Sequence, residues 1–381
     1  MTMRGMPPIL DAAERAGLLD PLDVEVALRI ARLARREEAG GDVPEVALLG
    51  AAMASRAIAH GHVCFEVGRA REIRPDPDGR GPVPWEWPDA GAWLEALAAC
   101  PLVRRPPGDR ASPLVLEGDL LYLDRWWGYE ERLAADLRAR AAAIAPGVDA
   151  DLLAEGVGRL FQDAAGAGVD DQRSAARVAV ERRLAVITGG PGTGKTTTVT
   201  KILLLLLEQE RRRRPDVPAD RLLAVSLLAP TGKAAARLEE SVREVRARLA
   251  ADATGIDPDL LAAVPAEALG IHRCLGANPD RPTRFRHDER HPLPADVAVV
   301  DEASMIDFGL MARLAEAVRP DARLVLLGDR NQLASVEAGA VFGDVCDAGA
   351  AGGAVRDCVV RLRRTYRFRA DGGIGALARA P

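Results

Sequence analysis

The run Gly189-Gly-Pro-Gly-Thr-Gly-Lys-Thr196 constrains the fold more than any other stretch of the chain. It matches the pattern GxxxxGK[ST]. The apolar run Leu184–Thr188 precedes it, and a helical pattern over 194–209 follows it. A glycine-rich turn between a strand and a helix aims several backbone N–H groups, and the helix N-terminus, at one point in space. That arrangement suits phosphate oxygens. Gly189, Gly190, Pro191, Gly192, Thr193 and Gly194 supply the wrap. Lys195 is placed to reach β- and γ-phosphates. Thr196 offers a hydroxyl to Mg²⁺, and Thr197 continues the turn. The expected ligands are ATP and Mg²⁺.

A turn of this kind belongs to a mostly parallel sheet, and the rest of the second half agrees. Apolar segments at Leu222–Ala229, Val297–Asp301 and Arg323–Gly328 alternate with helical patterns at 233–249 and 307–317. Alternation predicts an α/β domain with helices on both faces. Val297-Ala-Val-Val-Asp-Glu302 is a strand that ends in two carboxylates. Asp301 is suited to hold Mg²⁺, and Glu302 to orient and deprotonate a water. Leu324–Gln332 is a further strand ending in polar residues. Gln332 is placed to respond to a γ-phosphate.

The first half differs. Helical spacing is expected over 9–35 and 45–59, with an extended stretch at His60–Val67. There His60, His62 and Cys64 would share one strand face. Pro113–Leu123 predicts two short strands around Gly118-Asp119. A long helix is then expected to end near Pro146-Gly147, which sets a boundary at 145–150. The expected domains are therefore a mainly helical one at 1–148 and a nucleotide domain at 149–355. The latter carries a protruding basic insertion at 276–294, and 356–381 open a further domain.

Composition narrows the function. The chain has 381 residues and a net charge of −5, so no global attraction to nucleic acid is expected. Residues 1–150 carry 18 basic and 24 acidic groups, against 33 and 32 in the remainder. Binding to nucleic acid would need a local groove in the second half. Forty-eight of the 51 basic residues are Arg, yet Lys195 and Lys233 both follow Gly inside motifs. A compact ammonium does what a planar fork cannot. Arg211–Asp220 is expected to be a solvated basic loop. The longest apolar run, Ile202–Leu207, is too short to span a membrane. Five scattered cysteines with no CxxC pair argue against structural zinc and fit a reducing cytosol.

Together these motifs resemble superfamily 1 helicases. Gly189–Thr196, Asp301-Glu302 and Gly328–Gln332 stand as their motifs I, II and III. Ala229-Pro-Thr-Gly-Lys-Ala-Ala-Ala-Arg237 resembles the motif that lies on single-stranded DNA, and Thr365-Tyr-Arg-Phe368 the fourth motif. Ile271–Gly276, Val300–Asp307, Gly61–Cys64 and Leu121–Trp127 are similar to the RecD group in particular. The group carries Thr where this chain has Gly270. The resemblance implies a RecA-like P-loop domain and a 5′→3′ DNA motor that works with RecB-like and RecC-like subunits in the cytoplasm. It implies that Gln172 contacts adenine and that Arg367 reaches the γ-phosphate. It implies that Pro230, Thr231, Lys233, His272 and Arg273 touch DNA. It places nuclease chemistry in the RecB partner, and it makes 276–294 a pin at the strand junction. Motifs V and VI of the group lie beyond Pro381, so the expectation is a chain that lacks the last third of the motor and has little helicase activity alone.

Overall fold

The structure is a computed structural model. It describes residues 6–36, 43–74, 85–108, 111–161, 167–252, 255–277, 284–332, 339 and 341–365. These fall into two compact units that divide between Glu131 and Arg132. Gly339 belongs with the first. The linker expected at 145–150 therefore lies inside the second unit.

The first unit opens with helices α1 (Pro8–Arg15) and α2 (Pro21–Arg36). Gly17, at φ 72°, breaks the helical pattern that looked continuous over 9–35. Asp23 returns to accept the Asp20 N–H at 3.1 Å, which closes the start of α2. Helix α3 (Glu45–Ala59) is apolar all round and buried along most of its length, so it forms the centre of this unit. Strand β1 (Phe65–Glu66), helix α4 (Ala90–Ala99) and strands β2 (Val103–Arg104), β3 (Leu114–Glu117) and β4 (Leu120–Leu123) follow. They make a four-stranded sheet in the order β1-β4-β3-β2. Gly118, at φ 64°, makes the expected β3–β4 turn. Trp93 packs at the centre and donates to the Val46 carbonyl at 2.7 Å. This unit is mainly helical, as expected, and carries one small sheet. The expected strand at His60–Val67 shrinks to two residues, because His60 ends α3 and Gly61 turns at φ 86°. His60, His62 and Cys64 share no strand face.

Helix α5 (Asp124–Ala142) crosses the division. In its second half Arg140 is 2% exposed. Its guanidinium donates to the carbonyls of Val318, Arg319 and Ala322 at 2.6–3.0 Å and to Asp136 at 2.7 Å.

The second unit continues with α6 (Ala150–Leu160), α7 (Ala167–Glu181), β5 (Leu184–Gly189) and α8 (Lys195–Arg213). Then come β6 (Val225–Ala229), α9 (Gly232–Ala251), α10 (Pro258–Ala263), β7 (Ala268–Gly270) and α11 (Ile271–Cys274). It ends with β8 (Val297–Val300), α12 (Phe308–Ala317), β9 (Arg323–Gly328), α13 (Val341–Ala350) and β10 (Val359–Leu362). Six strands form one sheet in the order β10-β5-β9-β8-β6-β7, and every pairing is parallel. Ala185, Ile187, Leu227, Val299, Val325 and Leu327 point into a core shared with α6–α10. Leu184, Val186, Leu324 and Leu326 are equally inaccessible. Both faces are buried, which is why these strands are apolar runs with no alternation.

Two expectations are corrected here. Residues 356–362 do not open another domain: β10 pairs with β5 from Val359 to Leu362 and completes the first sheet. Arg211–Arg213 are not loop residues, since α8 runs to Arg213 and they form its last turn. Arg211 donates to the Pro215 and Val217 carbonyls, and Arg214 pairs with Glu210 and reaches the Leu222 carbonyl. Cations at a helix C-terminus complement its dipole.

Candidate nucleotide and DNA site

The loops at the C-terminal ends of β5, β6, β7, β8 and β9 all leave the same edge of a parallel sheet. In open α/β sheets that edge is where ligands bind. The phosphate loop leaves β5. Gly192 and Gly194 sit at φ 77° and 82°, a region other residues enter only with strain. A Cβ on Gly189 would come within 2.6 Å of Thr193 Oγ1. That hydroxyl donates to the Gly190 carbonyl at 2.9 Å and closes the loop. Gly194 starts α8 without any side-chain cap, so the first N–H groups of the helix face the loop's hollow. Lys195 Nζ donates to the Gly189 carbonyl at 2.6 Å and the Gly190 carbonyl at 3.3 Å. Thr196 and Thr197 are half-buried, and the Thr196 carbonyl is taken by Thr200. Gln172, on α7, is buried and donates to the Thr193 carbonyl at 3.2 Å. That bond ties α7 to the loop.

Asp301 and Glu302 follow β8. Burial pushes the Asp301 carboxyl up from its ordinary value, and the neighbouring Glu302 charge adds to this. The Glu302 N–H that Asp301 accepts at 2.9 Å and the Lys195 charge act the other way. Glu302 sits at φ 53°, the one non-glycine among the described residues with positive φ. Its Oε2 is buried and has no hydrogen-bond partner. Backbone strain together with an unsatisfied buried oxygen makes Glu302 a candidate functional residue. The Thr196 hydroxyl and the Asp301 carboxylate are hard oxygen donors of the kind Mg²⁺ prefers. The group also suits a metal that takes most of its remaining ligands from water and phosphate. Among the described residues no cluster of three His, Cys, Asp or Glu could hold a metal alone.

Gln332, after β9, is exposed, and its Oε1 accepts from Ser304 Oγ at 3.4 Å. Ser304 thus links the end of β8 to the end of β9. Thr188 does the same one strand away, its hydroxyl accepting the Arg330 N–H at 3.2 Å. Neither had been singled out in the sequence. Only the position of each beside a motif could have signalled it. Arg367 lies outside the described residues.

The expected DNA contacts gather at the neighbouring strand ends. The β6–β7 register sets Ala229 opposite Gly270, so Pro230–Lys233 and Ile271–Arg273 leave side by side. Lys233, His272 and Arg273 are exposed. Thr231 is also exposed, but its hydroxyl caps α9 by accepting the Ala234 N–H at 3.1 Å. A Cβ on Gly270 would lie 3.9 Å from the Gly232 nitrogen, so the structure has room there for the Thr of the group. The described part of the insertion is anchored. Arg286 N–H donates to the Leu275 carbonyl at 2.9 Å, and Phe285 packs on His272 with ring centres 5.9 Å apart.

Residues 15–122 match the family described as the N-terminal domain of RecBCD enzyme subunit RecD, and 172–338 match an AAA domain. The RecBCD enzyme subunit RecD of Mycolicibacterium smegmatis is 44% identical over 373 residues, which are 96% of this chain and 58% of that protein. The chain is similar to RecD subunits along nearly its whole length. Its Haemophilus influenzae relative of the same name is 31% identical over 310 residues, 75% of this chain and 47% of that one. The ATP-dependent RecD2 DNA helicase of Deinococcus radiodurans is 38% identical over 170 residues, 45% of this chain and 19% of that protein. The chain spans about half the length of the RecD subunits it matches. Among its described residues no helix is long and apolar enough to cross a membrane.

Proposed function

We propose that this chain carries the first motor domain of an ATP-driven, 5′→3′ DNA helicase subunit in a RecBCD-type exodeoxyribonuclease V, acting in double-strand break repair. Its partners are then RecB-like and RecC-like subunits, and its place is the cytoplasm. One observation carries the reading. The phosphate loop, the Asp301-Glu302 pair and the exposed Lys233, His272 and Arg273 occupy one edge of a single parallel sheet. Domain boundaries at 148 and 355, as expected from sequence, give way in this proposal to a motor domain that runs through Leu362.

Each side chain then has a task. Gln172 supports the loop beside the base. The loop N–H groups and Lys195 hold the triphosphate and balance its charge. Thr196 and Asp301 would hold Mg²⁺, which would supply positive charge beside the triphosphate. Glu302 orients the attacking water and takes its proton. Gln332, steadied by Ser304, faces the γ-phosphate and reports its loss. Pro230, Thr231, Lys233, His272 and Arg273 bind single-stranded DNA, the cations by pairing with phosphates. The resemblance to superfamily 1 helicases gives Arg367 the task of neutralising γ-phosphate charge.

A stand-alone RecD-like helicase is the second reading, favoured by the likeness to RecD2. The match of 15–122 to the N-terminal domain of the subunit supports the first. ATPase activity of this domain joined to the rest of the motor, measured with and without single-stranded DNA, tests both against a plain nucleotide-binding protein. Stimulation by DNA is expected, and its absence overturns the proposal. Co-purification with RecB-like and RecC-like chains separates subunit from lone helicase.

A further inference from the structure

Two neighbouring residues on α7 hold two different segments of the nucleotide domain. Gln172 holds the phosphate loop through the Thr193 carbonyl. Asp171 holds the chain that leaves β10, its Oδ2 accepting the backbone N–H of Arg363 at 3.1 Å. The ladder between β10 and β5 ends one residue earlier, at Leu362 opposite Gly189. The carboxylate therefore takes an N–H that the sheet leaves unpaired.

The same place is tightly packed. A Cβ on Gly189 would lie 3.0 Å from Leu362 Cβ and 3.1 Å from its carbonyl oxygen. The first residue of the phosphate loop thus rests directly on the last residue of β10. At the far end of the strand, Arg182, just past α7, pairs with Asp357 at 3.2 Å. Among the described residues β10 has one neighbour in the sheet, and bonds from α7 and from the residue that follows it hold the chain on either side of the strand. The Asp171 bond is charge-assisted, so it is stronger than an ordinary main-chain bond.

We propose that Asp171 is a positioning residue that passes nucleotide occupancy of the phosphate loop to the chain leaving β10. The proposal rests on the ATP-site reading above. Nucleotide that draws Lys195 away from the Gly189 and Gly190 carbonyls reshapes the loop. Gly189 has no free space, so the change is felt at Leu362. Gln172 feels the same change through Thr193, and its neighbour Asp171 holds Arg363 in step.

The test is hydrogen exchange at the Arg363 amide of the full chain, resolved to single residues, with and without Mg²⁺ and a non-hydrolysable ATP analogue. In the wild type the analogue slows exchange about tenfold, as expected for one strengthened hydrogen bond. Asp171→Ala loses this slowing and keeps analogue affinity within about twofold, since a neighbour of the site is changed and not the site. Asp171→Asn, which retains an acceptor oxygen, keeps most of it. A wild-type chain that binds the analogue with no change at Arg363 overturns the coupling and leaves the ATP site standing. So does an Asp171→Ala chain that still slows. Failure of the wild type to bind any analogue overturns both.

Discussion

The Lys195 ammonium lies 2.6 Å from the carbonyl oxygen of Gly189, at the end of the strand that opens the phosphate loop. The loop's own carbonyls hold the charge that the triphosphate is expected to take over. Lys195→Ala should abolish DNA-stimulated turnover while leaving the unfolding midpoint nearly unchanged, because the side chain contributes no apolar packing. Lys195→Arg should fail almost as badly, since a planar fork cannot sit between those carbonyls. Wild-type turnover by Lys195→Arg would remove Lys195 from the mechanism.

Glu302 combines backbone strain with a chemical task, and two substitutions separate them. Glu302→Gln should bind nucleotide but turn it over about 10²–10⁴-fold more slowly, as the amide cannot accept the water's proton. Glu302→Gly and Glu302→Ala should both be inactive. The glycine variant should be the more stable by roughly 1 kcal/mol, because φ 53° carries no strain for glycine. Equal urea midpoints for the two would show that the backbone relaxes.

Asp301 gives a pH test. Its native carboxyl is raised by burial, so the folded state holds that proton more firmly than the unfolded chain does. The group therefore favours folding at low pH, and this contribution is lost as pH rises through the raised value. Without Mg²⁺ at neutral pH, Asp301→Asn should unfold at higher urea than the wild type. The gap should close as pH falls toward the ordinary carboxylate range. A gap independent of pH would point to a cause other than the buried charge.

Arg140 should matter for stability and not for chemistry. Removing its guanidinium leaves three carbonyls and the half-buried Asp136 without their partner. Arg140→Ala should cost about 3–5 kcal/mol by denaturant unfolding. Arg140→Lys should recover little of this, since one ammonium cannot span the Val318, Arg319 and Ala322 carbonyls. Full rescue by lysine would show that charge alone suffices.

The insertion 276–294 should act on DNA and not on ATP. Its described part hangs on Leu275 and on the His272–Phe285 contact, outside the strand ladders. Replacing it with a short glycine-containing turn should leave single-strand-stimulated ATPase intact and abolish duplex unwinding by the assembled complex. Equal loss of both activities would make it a strut.

What the sequence made legible followed from how local each signal is. Gly189–Thr196 and Val297–Glu302 are contiguous strings whose spacing alone implies a strand end, and both lie where expected. Strand β7 is three half-buried residues, too short for any period to show. Strand β10 reads in sequence as the start of a following domain, because its partner β5 is distant in the chain and register is not local information. Arg212, Arg213 and Arg214 are exposed, as expected, but a run of charge does not show that α8 continues to Arg213. Nothing distinguishes Arg140 among 48 arginines except Asp136 one turn earlier. Its other partners arrive from a segment that chain order does not reveal.

The parallel pairing of β5 also sets an order of events during synthesis. Both its neighbours, β9 and β10, emerge from the ribosome roughly 140 to 175 residues later. At about 5–20 residues per second, the strand under the phosphate loop waits roughly 7–35 s for them. Through that interval its apolar sides lack the sheet that will cover them. The cradle under the phosphate loop is thus among the last parts to be completed, and a nascent chain halted before Leu362 offers chaperones an unfinished one.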